Sequence, residues 1–301
     1  MSLVFFPCCV SSSFLGDRQS AAKVVAGKLG VEIEDVSGFN CCGYPYKGID
    51  FKAFILMSGR ALALAEKKGA DLVTNCACCY GTLKQAKSVL KEDLSLFEYV
   101  NNALHTEGLA YTGNSTAKHL LEVLYESPGV SGLKLKLGGT LRGLKVAAHY
   151  GCKMLRPRSV VDFDDPFSPG KFDELIEATG AESVSWLRKL DCCGAPLIGI
   201  NDTTAMQLAK NKFESAVQAK ADVICTACPY CYLQFDRARD ALAPESRSEL
   251  DIPSLSFVQL LGLALGIDGG TLGIDGVKLP VDLLSRSQAP EGEASTLKSV
   301  A

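Results

Sequence analysis

The order of the cysteines constrains this chain more than any other feature, because it is written twice. A single Cys, then Cys-Cys-Gly, then Cys-x-x-Cys reads first as Cys9, Cys41-Cys42-Gly43 and Cys76 with Cys79. It reads again as Cys152, Cys192-Cys193-Gly194 and Cys228 with Cys231. The intervening lengths are 31 and 33 residues in the first copy and 39 and 34 in the second. A long pattern that recurs in one order means one structural unit used twice.

The surroundings of the cysteines recur too. Short apolar runs, Leu3-Val4-Phe5-Phe6 and Lys145-Val146-Ala147-Ala148, lead to Cys9 and Cys152 as buried strands would. Residues 23–29 and 172–179 are predicted helices, stopped by Gly30 and Gly180, and residues 31–36 and 183–187 predicted strands. Helical spacing returns over 51–68 and 203–219, followed by Ala70-Asp71-Leu72-Val73 and Ala221-Asp222-Val223-Ile224 as strands. Strand, helix, strand, helix, strand predicts an α/β fold: two related Rossmann-like domains from an internal duplication, each a parallel sheet with helices. Loops at the carboxyl ends of such strands converge on one edge, and every cysteine group falls in one of them. The expected domains are 1–140 and 141–284, joined by a glycine-rich linker at 128–143, with 285–301 as a flexible tail.

A hydrophobic content of 47% is enough for real cores, and 31 basic against 34 acidic residues give no cationic footprint for nucleic acid. Met1 to Val10 lacks the basic start of an export signal, and no apolar run approaches the roughly 20 residues that span a bilayer. A soluble, cytoplasmic protein is expected, in a compartment where thiols stay reduced. There, thirteen cysteines, an odd number, read as metal ligands or redox groups rather than a disulfide framework.

Each copy offers five cysteines. Structural zinc takes four, so a fifth would be surplus, and two adjacent cysteines crowd one small ion. An iron–sulfur cluster has several metal corners and accommodates both, although five implies an unusual cluster. Cys228-Pro229-Tyr230-Cys231 alone also suits a thioredoxin-like dithiol, an alternative the duplication makes weaker. Cys8, Cys78 and Cys225 have no counterpart in the other copy and read as small buried hydrophobes.

The duplicated Cys-Cys-Gly pattern resembles the B-type subunit of heterodisulfide reductase over about residues 1 to 275. The flanking words carry the likeness: Ala148-His149-Tyr150-Gly151-Cys152, Ala227-Cys228-Pro229-Tyr230-Cys231-Tyr232-Leu233-Gln234-Phe235-Asp236-Arg237 and Gln259-Leu260-Leu261-Gly262-Leu263-Ala264. Other Cys-Cys-Gly proteins, in glycerol-3-phosphate, lactate or glycolate and succinate oxidation, share the cysteines more than these words. The resemblance implies two non-cubane [4Fe-4S] clusters. One would be held by Cys9, Cys41, Cys42, Cys76 and Cys79, the other by Cys152, Cys192, Cys193, Cys228 and Cys231. It further implies cleavage of the coenzyme M–coenzyme B disulfide between the clusters, one electron from each. The implied partners are a flavin-bearing A-type subunit and a C-type subunit with cubane [4Fe-4S] clusters.

Cys8 stands where that family has Gly, and the spacing favours Cys9 as the ligand. No ferredoxin run, Gly-x-Gly-x-x-Gly or Walker loop is present, so cubane clusters, flavin and nicotinamide are expected on other chains. His149 is either a proton donor or partner near a ligand, or a satisfied histidine at a strand end. Lys153, Arg156 and Arg158 either meet anionic groups of a substrate or form a solvated basic loop. Two other functions remain: an electron-transfer subunit for a different substrate, or a zinc-stabilised interaction module in one half.

Overall fold

The structure is a computed structural model describing residues 2–14, 18–137 and 141–274. The expected tail at 285–301 and the expected domain boundary at 140 lie outside the described residues. The first half holds strands β1 (Ser2–Phe5), β2 (Glu34–Asp35), β3 (Ala70–Thr74) and β4 (Ala117–His119), in sheet order β2-β1-β3-β4. The second holds β5 (Lys145–His149), β6 (Glu182–Ser183), β7 (Val223–Thr226) and β8 (Ser254–Ser256), in order β6-β5-β7-β8. All six pairings are parallel, so both sheets must be covered by helices on their faces. The central strands show why: every residue of β3 and of β7 is buried, whereas edge strand β2 is a short acidic pair, Glu34-Asp35, exposed to water.

In each half the chain leaves the first strand to one side and returns on the other, so β1/β3 and β5/β7 are topological switch points. Loops leaving both strands part there and open a crevice at the carboxyl edge. The loops carrying Cys9 and Cys76 flank the first crevice, and those carrying Cys152 and Cys228 the second.

The duplication extends to helix detail. Helices Phe51–Lys67 and Asp202–Gln218 are both 17 residues long, capped by Asp50 and Asn201, whose side chains accept from Ala53 N and Thr204 N. Their buried stripes include Phe54, Ile55 and Leu62 in one and Ala209, Phe213 and Ala216 in the other, at helical spacing.

Two expectations change. Each sheet has a fourth strand beyond those predicted, β4 and β8, each running into a helix through a capping box, His119 with Glu122 and Ser256 with Gln259. The predicted linker at 128–143 is largely the helix Gly129–Leu137, which buries Leu133 and Leu137, while Lys136 Nζ donates to Leu29 O at 2.8 Å. Its glycines suggest mobility, but apolar residues four apart give one face something to bury. The apolar stretch beginning at Leu260 belongs to the helix Phe257–Ala264, buried throughout and packed on helix Arg18–Lys28 of the other half. Among the described residues no helix is long and apolar enough to cross a membrane.

Candidate metal centre

Each first-position cysteine opens a short helix after a central strand: Cys9 in Cys9–Phe14 and Cys152 in Cys152–Leu155. The Cys-x-x-Cys motifs are built alike at the backbone. Cys76 and Cys228 are the N-caps of helices Ala77–Glu92 and Pro229–Asp240, and their own N–H groups donate to Thr74 Oγ1 and Thr226 Oγ1 at 3.3 and 3.2 Å. A sulfur at a helix N-terminus sits in the positive end of the dipole, which favours thiolate. Cys79 N also donates to Cys76 Sγ at 3.5 Å.

Glycine after each Cys-Cys pair is a steric necessity. Gly43 and Gly194 have φ of +87° and +88°, and an added Cβ would lie 2.9 Å from Phe54 O or 2.5 Å from Ala205 O. The turn therefore lies directly against its following helix, which fixes where both adjacent thiols emerge.

All thirteen cysteines are free thiols, and several of their sulfurs come together. In the first half Cys9 and Cys41 sulfurs lie 3.9 Å apart. The sulfurs of Cys76 and Cys79 are joined by that of Cys8, all within 4.8 Å of one another. In the second, Cys193 and Cys231 sulfurs are 3.2 Å apart, with Cys192 beside Cys193. Cys76 and Cys228 link the groups, their sulfurs 3.7 Å apart across the halves.

Known proteins share the sequence and the fold. The cysteine-rich domain family, CCG, matches residues 3–84 and 146–236, one match per half. The B-type subunit of the ferredoxin/F(420)H(2)-dependent CoB-CoM heterodisulfide reductase from Methanosarcina acetivorans is 36% identical over 276 residues, covering 90% of this chain and 91% of that one. The chain belongs to the family of heterodisulfide reductase B-type subunits. Also similar, at 32% identity over 90% of this chain and 94% of the relative, is the 8-methylmenaquinol:fumarate reductase membrane anchor subunit of Wolinella succinogenes. A crystal structure of a hypothetical protein from Helicobacter pylori shares the fold, with TM-score 0.72 and 18% identity; it matches 93% of this chain, which spans about half (52%) of that one.

The thiols of this B-type chain fit an iron–sulfur group. They are unoxidised, concentrated at two crevices and split in acidity by their mutual contacts. Cys41 is held low, to about 3, by hydrogen bonds from Cys42 and Cys9. Cys193 is held well below the usual thiol range by Cys192 and Cys231, and Cys228 by Cys231 and Cys76. The same contacts push Cys9 and Cys231 up.

The three leftover cysteines part company. Cys225 lies on β7, and burial alone raises its pKa, as a small core residue requires. Cys78 is half-buried and lines the cleft between the halves. Cys8, expected to be a bystander, is buried inside the first sulfur group. Its counterpart Gly151 turns with φ of +78°, and a Cβ there would lie 3.3 Å from Ala77 Cβ and 3.8 Å from Cys228 Cβ, so the second half has no side chain where Cys8 supplies a sulfur.

His149 is not the satisfied strand-end histidine that is the milder expectation. It is 1% exposed, neither ring nitrogen has an oxygen or nitrogen partner, and it lies within 4.8 Å of the Cys193 and Cys231 sulfurs. The cleft between the halves is lined by Tyr44, Cys78, Cys152, Lys153 and Tyr230 and by the Cys193 and Cys231 beside His149, but not by His149 itself. A separate depression lined by Glu66, Asp71 and Ser115 holds no cysteine.

Of the three basic candidates only Lys153 reaches the cleft. Arg156 Nη2 donates to Pro166 O at 3.1 Å, and Arg158 pairs with Asp165 at 3.4 Å. Lys47, which sequence reasoning missed, stands beside Lys153; burial first and Lys153 second lower its pKa. Tyr44 and Tyr230 meet edge to face with centroids 6.5 Å apart, and burial raises both phenols. Both Tyr44 and Lys47 lie within five residues of Cys42, the one local signal that could single them out.

Proposed function

We propose that the chain is the iron–sulfur catalytic subunit of a heterodisulfide reductase-type complex, and that it reduces the coenzyme M–coenzyme B disulfide, or a related one, to two thiols. One observation carries the reading: the sulfurs of Cys76 and Cys228, one from the Cys-x-x-Cys of each half, lie 3.7 Å apart, which supports two sites facing each other. Non-cubane [4Fe-4S] clusters, one on Cys9, Cys41, Cys42, Cys76 and Cys79 and one on Cys152, Cys192, Cys193, Cys228 and Cys231, would each supply one electron. A disulfide takes up two electrons and two protons on becoming two thiols, which accounts for a duplicated rather than a single site.

The chain's other residues suit that substrate. Lys153 on the cleft wall, with Lys47 close behind it and donating to Gln85 Oε1 at 2.6 Å, supplies positive charge near the anionic ends of a small disulfide. Tyr44 and Tyr230, their phenols raised by burial, keep O–H donors beside the sulfurs. The domains are 1–140 and 141–284, and the reducing cytoplasm is the compartment in which thirteen free thiols persist. The partners are a flavin-bearing A-type subunit and a cubane-cluster C-type subunit. Ile49 and Ile200, at one position of the two Cys-Cys-Gly loops, are 86% and 79% exposed and offer matched apolar contacts for docking.

The similarity to a quinol:fumarate reductase subunit favours a second reading, an electron-transfer subunit serving another substrate. The assembled complex, assayed with the heterodisulfide, decides: turnover supports the first reading, and fully loaded clusters without turnover support the second. Anaerobic metal analysis tests both, with about eight irons per chain expected. Stoichiometric zinc in either half would make that half an interaction module instead.

A further inference from the structure

Three matched positions differ between the halves, and all three differences act in one direction. The first is His149. It is three residues before Cys152 and pairs with Thr226 on β7; Phe6, three before Cys9, follows the β1 residue paired with Val73. Phe6 packs edge to face on Phe39 with centroids 5.3 Å apart, an apolar contact. His149 has a buried imidazole with no oxygen or nitrogen partner, beside the Cys193 and Cys231 sulfurs. A buried N–H needs an acceptor, and these sulfurs are the acceptors within reach.

The second is Lys212, the eleventh residue of helix Asp202–Gln218; the eleventh residue of Phe51–Lys67 is Ala61. Lys212 is fully buried. Its Nζ donates to Arg188 O and Asp191 O, just before Cys192, and lies 4.6 Å from the centre of the Trp186 ring. Lys212 makes no ion pair among the described residues; the nearest acidic influence is Asp191, whose carboxylate is already paired with Arg188 at 2.8 Å, so the ammonium is held by carbonyls rather than by a carboxylate of its own. The cation that braces the first loop, Arg60, donates to Gly38 O and is paired with Glu107 at 2.7 Å. The third is Cys8, an additional sulfur in the first group where the second has Gly151.

We propose that the two sites are electronically unequal, the second accepting electrons at the higher potential, with His149 and Lys212 as the positioning residues that set the difference. This rests on the iron–sulfur reading. An N–H within reach of a ligand sulfur and a buried ammonium held by carbonyls both stabilise the more negative, reduced state, and a further thiolate contributed by Cys8 would oppose it. Electrons then settle first in the second half, and the two sulfurs of a bound disulfide are not equivalent.

Redox titration of the anaerobic full-length chain, followed by EPR with iron content determined on each sample, tests this. Wild type should show two midpoint potentials, of which Cys193→Ser removes the higher. His149→Phe and Lys212→Met should each lower that potential and leave the other in place with iron content unchanged, while His149→Gln, which retains an N–H, should stay near wild type. One shared potential, or two that neither variant moves, overturns the proposal. Loss of about half the iron in both His149 variants overturns it as well, by making His149 a ligand. Absence of iron from wild type would instead reject the cluster reading beneath it.

Discussion

The sulfur of Cys76 lies 3.7 Å from that of Cys228, though 152 residues separate them and each caps a helix of a different half. Around this contact the halves are tied by backbone: Ala77 N donates to Ala227 O at 3.3 Å, and Tyr80 Oη donates to Val161 O at 2.7 Å. The seam thus runs through the sites themselves, and what disturbs the seam disturbs the sulfurs.

Serine scanning should separate ligands from bystanders. Cys193→Ser, Cys76→Ser and Cys9→Ser should each lose about half the iron of the anaerobic protein, measured as iron per chain, with one EPR signal lost. Cys225→Ala should keep all of it and lose only about 1 kcal/mol of stability, since Cys225 meets no other sulfur. Iron loss on that change would contradict the ligand set.

Gly194→Ala should be among the most damaging small changes. It combines a positive φ with a Cβ placed 2.5 Å from Ala205 O, so strain and overlap together should cost about 3 kcal/mol by urea unfolding. Gly38→Ala, with φ of +91° but open space around it, isolates the first component and should cost about 1 kcal/mol. Equal losses would show that contact with the helix is unimportant.

Acid should weaken the seam through His119. Its Nε2 donates to Ala227 O at 2.9 Å, its Nδ1 accepts from Leu121 N at 3.1 Å, and burial lowers its pKa from 6.5 to about 4. The folded protein therefore prefers the neutral ring. The stability this represents is fully present above pH 6.5 and is lost as pH falls through 4, on the order of 3 kcal/mol in total. Unfolding free energies between pH 7 and 4 should show this slope, and His119→Gln should flatten it.

Lys47→Gln and Lys153→Gln should raise KM for an anionic disulfide about fivefold each, with kcat changed less and the effect shrinking at high salt. Arg158→Gln should leave KM unchanged, because Arg158 is 62% exposed and already paired with Asp165. Steady-state kinetics of the assembled complex provide the comparison.

Several parts of this arrangement are legible in the chain alone. Strand and helix periodicity places β1, β3, β5 and β7 and the two 17-residue helices to within two residues or so, because such patterns are local. Strands β4 and β8 escape it because three residues each are too few to show alternation, although the spacing of Ser256 and Gln259 is a readable helix start. The helix at 129–137 is hidden by its glycines. In the site, His149 stands out for its place beside a ligand, but that its nitrogens are orphaned depends on every neighbour it packs against, Phe235 at 5.1 Å among them.

The sequence by itself determined the unit, its duplication and the five thiols of each copy, since spacing along a chain survives any folding. Tertiary structure alone decided which sulfurs meet. It turned Cys8 inward and left Cys9 exposed, buried Lys212 without a carboxylate, and brought Cys76 to Cys228. Those outcomes depend on burial and on contacts between residues far apart in the chain, and such quantities exist only once both sheets are packed together.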